Sequence, residues 1–532
     1  VDGVPPGEAC VLAVDLGTGG PKVAVVSVTG LIVAHAHEPV TLTLTADGGA
    51  EQDADEWWRA VVAAARRALS DSQVPPEQVV GIGCTAQWAG TVPVGDDGRA
   101  VAPAVIWMDS RGSAAVRQAV RGPVNAFGYD IRKAPRWIRR TGGAPSLSGK
   151  DPVGHILYLR QARPDVYEQA AVFLEPVDYL NLRLTGLARA SFDSITLHWV
   201  TDNRRIDRVA YDPGLLAMAA LDRDKLPDLV PTGSVLSGLS ADAAAELGVL
   251  PGTPVVTGSG DLHSAAVGSG AVDDFAGHLY IGTSSWISCH VPFKKTSAAT
   301  NITSIPAALP GRYLVADEHE TGGACLTWLR DGLLRPDDPL SPPGSPDGVF
   351  DRLNQLAATV GPGAGGVLFT PWLNGERSPV DDHTIRAGFH NLSLSTSRSD
   401  MVRAVFEGVA LNSRWLLGAV ERFTGRPFPS LAFVGGGAAS DLWAQVHADV
   451  TGRTVRQMAD PVLANVRGAA ILTLLALGRI RLADVPGMVS VRADYRPDPA
   501  NRALYDQLAT EFVNLYKQTK GIHRRLNRRR LG

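Results

Sequence analysis

The sequence predicts an α/β protein built from two related domains, and three observations carry that expectation. The chain has 532 residues, too many for one ordinary core. Strand-like and helix-like stretches alternate along it. One pattern also occurs twice: an apolar strand runs into Gly-Thr and further small residues, then into a second apolar strand. The first copy is Val11-Leu12-Ala13-Val14-Asp15-Leu16-Gly17-Thr18-Gly19-Gly20, and the second is His278-Leu279-Tyr280-Ile281-Gly282-Thr283-Ser284-Ser285. Such a turn presents several backbone N–H groups and a hydroxyl, which suits a phosphate. One turn from each domain, facing across a cleft, would grip a nucleotide's phosphates from both sides. That points to an enzyme that uses ATP.

The first copy opens a meander. Residues 11–16 form one strand, 22–28 alternate as a second, and Thr29-Gly30 turns the chain into a third over 31–40. Asp55 caps a helix whose Trp57, Trp58, Val61, Val62, Ala65 and Leu69 recur at helical spacing. Residues 79–84 are a further strand, Asp96-Asp97-Gly98 marks a hairpin, and 104–108 is an apolar run ending in Asp109-Ser110-Arg111. Residues 151–161 and 176–184 read as helices. Residues 253–257 form a buried strand, and Gly258-Ser259-Gly260-Asp261 after it is the expected domain junction. Residues 334–348, rich in Pro and Asp, read as a loop, and 400–415 as a strong helix. Residues 431–434, Gly435-Gly436-Gly437 and 440–450 read strand, glycine turn, helix, and 466–477 as a last apolar helix.

Bulk composition narrows the function. Hydrophobic residues make up 45% and charged residues 20%, as in a soluble globular protein. A net charge of -3 argues against general attraction to nucleic acid or a membrane surface. The basic run from His523 to Arg530 reads as a frayed, solvated terminus. Cys10, Cys84, Cys289 and Cys325 have no paired spacing, so neither a zinc site nor a disulfide frame is expected and a reducing cytoplasm fits. No apolar stretch is long enough to span a bilayer and no signal-peptide pattern is seen, so a cytoplasmic location without membrane partners is expected.

Asp15 ends a buried strand directly before the first turn. A carboxylate there can hold Mg²⁺, or a water bridging Mg²⁺ to ATP phosphates; alone it would merely fix the turn. Asp261 stands at a strand-to-helix turn, with Ala265 and Ala266 allowing close helix packing. Its plain role is a helix cap. Its functional role is the general base that takes a hydroxyl proton during phosphoryl transfer, with a share in Mg²⁺ binding. Together with the second turn, the two acids favour a site. In Gly435-Gly436-Gly437-Ala438, Ser440 stands where a dinucleotide fingerprint has its last glycine, and no acid-ended strand follows. A turn against an adenosine and a plain strand-to-helix turn fit that segment equally.

Gln87 and Trp88 follow one strand, and Trp107, Asp109 and Arg111 follow another. Polar groups beside aromatic faces suit a sugar; a core tryptophan and a surface salt bridge are the plain alternatives. His35 and His37 share a strand face without a third ligand and read as solvent-exposed. Asp317-Glu318-His319-Glu320 reads as a solvated loop, with Thr321-Gly322-Gly323 near the nucleotide. Glu376-Arg377 and Asp381-Asp382 read either as cleft lining or as surface charge.

Taken in order, these segments resemble the FGGY family of carbohydrate kinases, and within it the xylulokinase-like branch most, over nearly the whole chain. The family's first phosphate segment looks like Asp15 through Lys22, its W-x-D-x-R like Trp107 through Arg111, and its D-Y-L…L-T-G like Asp178-Tyr179-Leu180 and Leu184-Thr185-Gly186. Gly260-Asp261 matches the catalytic G-D, Gly282-Thr283-Ser284 the second phosphate segment, and Gly375-Glu376-Arg377-Ser378-Pro379 the G-E-R-x-P element. The second family signature fits from Ala387 to Glu407, with Asn391 where glycine is usual, and the adenosine segment resembles Gly435 through Asp449. Xylulokinases carry Q-M-H-G in the first sugar loop, where this chain has Gln87-Trp88-Ala89-Gly90. They carry asparagine after the catalytic acid, where it has Leu262, and lysine and tryptophan where it has His155 and Tyr158. The glycerol-kinase R-E pair is also absent. These departures leave the phosphate chemistry intact and speak against D-xylulose itself.

The resemblance implies two actin-like (ribonuclease H-like) α/β domains flanking a deep nucleotide and sugar cleft, over residues 9–257 and 258–490. A C-terminal helix and basic tail would occupy 491–532, the helix crossing back. ATP and Mg²⁺ would meet Gly17, Thr18, Gly19, Lys22, Gly282, Thr283, Ser284, Gly323, Gly436, Gly437, Ala438 and Ser440, with Asp15 and Asp261 at the metal. A small sugar or polyol would lie against Gln87, Trp88, Trp107, Asp109 and Arg111, with Asp261 as the base. Domain closure would keep water from the ATP. A chaperone-like ATPase on the same fold and, with less support, a nicotinamide-dependent oxidoreductase at the Gly435 turn are the rival readings. The sequence fixes neither the sugar nor the assembly state, a homodimer included.

Overall fold

Two mixed β-sheets organise the chain, which the computed structural model describes over residues 8–334 and 348–527. In the first sheet, β1 (Cys10–Gly17), β2 (Gly20–Ser27) and β3 (Ile32–His37) form an antiparallel meander. β4 (Val79–Ala86) extends it in parallel, β5 (Val235–Gly238) closes the far edge, and β6 (Pro254–Gly260) lies between those two, parallel to β4. The order is β5-β6-β4-β1-β2-β3. In the second sheet, β7 (Gly277–Ile281) pairs antiparallel with β8 (Ser285–Ser288) and parallel with β9 (Ser430–Val434). β10 (Thr454–Met458) and β11 (Val491–Tyr495) follow, giving β8-β7-β9-β10-β11. The repeated glycine turn takes the same place in both, between β1 and β2 and between β7 and β8. This is the two-domain, actin-like α/β arrangement with a cleft between the halves.

Local chemistry explains the elements. The inner strand β1 is buried on both faces, so it reads as a continuous apolar run rather than an alternating one. Helix α1 (Ala54–Ser72) packs on β2 and β3 and buries Trp57, Trp58, Val61 and Ala65. Its N-cap is Asp53, two residues before the expected Asp55, because the Asp53 carboxylate accepts the Asp55 N–H at 2.8 Å. Such a cap stabilises a helix by about 0.5–2 kcal/mol. Helix α2 (Pro176–Thr185) begins with proline at its first turn and ends at left-handed Gly186. Helix α3 (Asp261–Gly268) leaves β6 directly. Helix α4 (Arg398–Thr424) starts with a Ser397/Asp400 capping box and stops at left-handed Gly425. Helix α5 (Asp441–Thr451) is capped by Ser440. Asn391, where the family usually has glycine, holds φ 63, and asparagine is among the few residues that tolerate that region.

The halves are joined by helices. Helix α6 (Ala464–Ala476) comes from the second half yet packs against α3, β1 and β4 of the first. Gly81 and Gly83 on β4 make room for it: a Cβ on Gly83 would run into Thr473. The last helix, α7 (Arg502–Asn527), packs on α4 and α5, so the crossing expected of it is made by α6 instead. A second bridge lies at the rim, where a small sheet spanning 290–316 leans on the helical insertion of the first domain. There Lys294 Nζ donates to Ile138 O at 3.0 Å, and Thr296 and Thr303 donate to Gly142 O at 2.7 Å.

Three expectations need correction or a boundary. The division between residues 257 and 258 falls inside β6, where Ser259 and Gly260 still pair with Thr85 and Ala86. The basic segment is not frayed over 523–527: it continues α7, and Asn527 Nδ2 donates to Thr384 O at 2.9 Å. The proposed loop at 334–348 lies almost wholly outside the described residues, as do Arg528, Arg529 and Arg530.

Candidate active site

A cleft of about 490 Å³ opens between the two glycine turns. The first turn is tight: Gly17 pairs with Gly20, leaving Thr18 and Gly19 at the tip. Gly20 has φ 123, and a Cβ there would strike Glu38 O, so only glycine fits. The Thr18 hydroxyl donates to Gln87 Oε1 at 2.9 Å and accepts from Trp107 Nε1 at 3.0 Å. Gln87 is held in turn by Gln52, whose Nε2 donates to Thr18 O at 2.9 Å. Gln87, expected against a sugar, is buried and absent from the cleft wall; it braces the first glycine turn.

The second turn exposes Thr283 to the cleft, with Gly282 and Ser284 beside it. Gly322 and Gly323 pack behind it: their N–H groups donate to Thr283 O at 2.8 Å and Gly282 O at 2.7 Å. The Gly323 N–H is therefore spent on shaping the turn. The glycine turn after β9 abuts the same place, since a Cβ on Gly435 would collide with Ile281 O, while Gly436 faces open space. Gly437 packs on Ile281, Ala438 is buried, and the Ser440 hydroxyl caps α5 through Trp443 N at 3.0 Å. Gly436 and Ala439 are the exposed residues of this turn.

Asp261 lies on the cleft wall as the first residue of α3, with Gly260 in the N-cap position. Its Oδ1 accepts its neighbour's Leu262 N–H at 2.9 Å, and no capping bond to the next turn is made. Burial first, then the carboxylates of Asp15 and Glu318, push its acid up to about 7. A carboxyl with that affinity for protons can accept one near neutrality. Asp15 is buried; one oxygen stands 3.5 Å from Lys22 Nζ and the other, Oδ1, has no hydrogen-bond partner. An orphaned carboxylate oxygen beside a second carboxylate fits a hard divalent cation such as Mg²⁺. Among the described residues no group of three or more His, Cys, Asp or Glu forms a ready metal cluster. Phosphate and water oxygens would complete the shell.

The far end of the cleft differs from the sequence expectation. Trp88 and Trp107 do line it. Trp88 Nε1 donates to Ser194 O at 2.9 Å, and the indole fills the space beside Gly260 and meets His263 edge-on at 4.8 Å. Asp109 and Arg111 do not line it. Asp109 is fully buried and accepts from Ala50 N at 2.9 Å, and Arg111 is clamped between Asp109 and Glu51 over the ring of Tyr158. They tie strands together from behind the wall.

In their place stands a charged group, most of which the sequence suggests as a solvated loop and one member of which, Arg377, it leaves open as cleft lining. Asp317, His319 and Glu320, expected in a solvated loop, are buried because the segment returns beneath the second turn, with His319 N bonded to Ser285 O at 2.8 Å. Asp317 and Glu318 face the cleft, as do Lys150 and Arg377. Arg377 Nε donates to Glu320 Oε1 at 2.6 Å and Nη1 to Glu318, while Lys150 Nζ stands 3.7 Å from Glu320 Oε2. Burial lowers the proton affinity of Lys150 and raises that of Asp317 and Glu318. Of the other open pairs, Glu376 is buried behind Arg377, Asp381 is exposed, and Asp382 is buried. His35 and His37 are exposed as expected.

Comparison with known proteins accords with this geometry. Residues 10–268 match the FGGY family of carbohydrate kinases, N-terminal domain, and residues 278–477 match its C-terminal domain. A xylulose kinase of Staphylococcus epidermidis is 28% identical over 517 residues, covering 96% of this chain and 97% of that one. An autoinducer-2 kinase of Yersinia enterocolitica is 28% identical over 95% of this chain and 94% of its own. Among solved structures, a gluconate kinase from Lactobacillus acidophilus superposes with a TM-score of 0.82 at 22% identity, covering 96% of this chain and 98% of that one.

Proposed function

The chain belongs to the FGGY family of carbohydrate kinases, and within that family we propose a xylulokinase-like enzyme that phosphorylates a small sugar or polyol hydroxyl from Mg-ATP, with Asp261 as general base. The observation that carries this reading is the placement of Asp261. It stands on the wall of a cleft walled by both glycine turns, beside an orphaned Asp15 oxygen, with a raised affinity for protons. The relatives bear different substrate names at similar identity, so they do not choose the sugar.

On this reading the turns at Thr18 and Thr283 hold the phosphates from opposite sides, and the exposed backbone at Gly436 receives the adenosine. Asp15, with Asp261, would hold Mg²⁺, which when bound neutralises charge on the transferring phosphoryl group. Asp261 takes the proton from the sugar hydroxyl as that oxygen attacks the γ-phosphate in line. Trp88, locked by Ser194 and pressed against Gly260, fixes the wall beside the base. Most of the rate enhancement comes from this positioning. The test is an ATP-consumption assay over ketoses, aldoses and polyols, repeated with Asp261→Asn. Phosphorylation by the wild type that persists undiminished in the variant counts against the reading.

A further inference from the structure

Resting on the kinase reading above, we infer that the acceptor is a deoxy sugar or a methyl-bearing polyol, and that its unhydroxylated carbon lies against Trp88 and Leu262, beside Asp261.

The surface around the base is apolar. Trp88 presses on Gly260, where an added Cβ would come within 2.8 Å of the indole Cγ, and it meets His263 edge-on at 4.8 Å, so its ring touches the chain on either side of Asp261. Leu262 follows Asp261 on the same wall. Leu262 and Trp286 belong to one buried apolar cluster against which Trp88, Tyr280 and Ala316 pack, and all five reach the cleft. His263 and Ser259, the nearest polar side chains in the chain, are buried and engaged, with Pro306 O at 3.1 Å and with Ser264 Oγ at 2.7 Å.

The indoles present carbon only. The N–H of Trp88 is given to Ser194 O at 2.9 Å and that of Trp107 to Thr18 Oγ1 at 3.0 Å. Trp199 gives its own to Asp151 Oδ2 at 3.0 Å, and Trp286 to His278 Nε2 at 3.1 Å. An indole has one donor and no acceptor, so these rings have nothing left for a hydroxyl. Tyr280 stacks on Trp286 at 3.9 Å and turns its phenol to Gly282 of the second turn. Gln87, Asp109 and Arg111, expected to supply polar contacts, are engaged elsewhere and absent from the wall. A hydroxyl set against Trp88 and Leu262 gives up water and finds no partner, whereas a hydrogen or a methyl there buries apolar surface. Lys150, Asn301, Arg377 and Ser378 also line the cleft and leave polar groups for the hydroxyls that such a substrate keeps.

The experiment uses the full chain and pairs of ketoses and polyols that differ by one hydroxyl exchanged for hydrogen, each carbon in turn. We expect the best deoxy compound to exceed its parent by about ten- to a hundredfold in kcat/KM. Leu262→Asn places an amide beside Asp261 and should lower that ratio about tenfold. Ala89, next to Trp88 on the wall, holds φ 61, which asparagine tolerates, so Ala89→Asn is a second route to the same change. A ratio of two substrates on one protein is unaffected by partial loss of folded enzyme, so a merely structural effect would not move it. Parents equal or preferred in the wild type, or a ratio unmoved in every folded variant, overturns the inference and leaves the kinase reading standing. Should neither variant fold, the wild-type ratio decides alone. No phosphorylation of any compound overturns both.

Discussion

Gly268 and Gly468 face each other backbone to backbone where α3 crosses α6: a Cβ on Gly268 would strike Ala464 O, and one on Gly468 would strike Ser264 O. Buried Arg467 secures the crossing, donating to Gly268 O at 3.3 Å and Ala459 O at 2.9 Å. The helix that begins with Asp261 is thus fastened to a helix rising from the other domain. We expect Gly468→Ala to cost about 1–3 kcal/mol, because neither backbone can yield freely. Thermal melting against wild type measures it, and an unchanged midpoint would show that the crossing is looser than the contacts imply.

Asp261→Asn keeps the size of the side chain but cannot accept a proton. We expect kcat to fall by about 10²–10⁴-fold while ADP binding and melting stay near wild type. If the residue served only the helix end, asparagine would serve as well. Near-normal turnover by a folded variant would falsify the general-base assignment.

The acid of Asp261 titrates near 7 because burial, Asp15 and Glu318 all favour its protonated form. A base works only when ionised, so activity is full above that pH and falls about tenfold per pH unit below it. We expect an acid limb near neutrality in the kcat/KM profile of the wild type, missing from the residual activity of Asp261→Asn. A wild-type profile level between about pH 5 and 8 contradicts this.

Thr283 stands exposed at the tip of the second turn. A bulky residue there, as in Thr283→Trp, should weaken ADP binding in calorimetry, since one turn alone leaves much of the phosphate charge unmatched. Equal ADP affinity in the two proteins means that the turns do not share a nucleotide.

Trp88 and Ala89 replace the methionine and histidine that xylulokinases carry in the first sugar loop. A broad apolar face without an imidazole donor cannot favour a particular hydroxyl strongly. We expect D-xylulose to be a poor substrate, with another ketose or a polyol preferred. D-xylulose giving the best rate in the panel reverses this.

The domains and the turns were legible because each depends on local pattern: apolar strands, small turn residues, capped helices. The position of Asp261 at a strand-to-helix turn was legible as well. The helix starts were nearly so, with Asp53 rather than Asp55 chosen by one carboxylate reaching one N–H. What the sequence hid was direction. Trp107, Asp109 and Arg111 sit together in the chain, yet only the indole reaches the cleft; the acid and base turn back to Ala50 and Glu51. Glu318 and Glu320 looked like solvated charge because their partners lie far off in the chain: Arg377 is 59 residues from Glu318 and 57 from Glu320, and Lys150 is paired with Glu320 from the first domain. Burial of a charge is set by such distant partners, and no local window contains them.

Four of the eleven tryptophans, Trp88, Trp107, Trp199 and Trp286, line the same cleft. Indole emission depends on how wet and how polar its surroundings are, so the protein carries an optical gauge at the place where its substrates would meet. Anything that dries that space should alter the colour or brightness of the native emission without a label. Binding can then be followed in real time, separately from turnover.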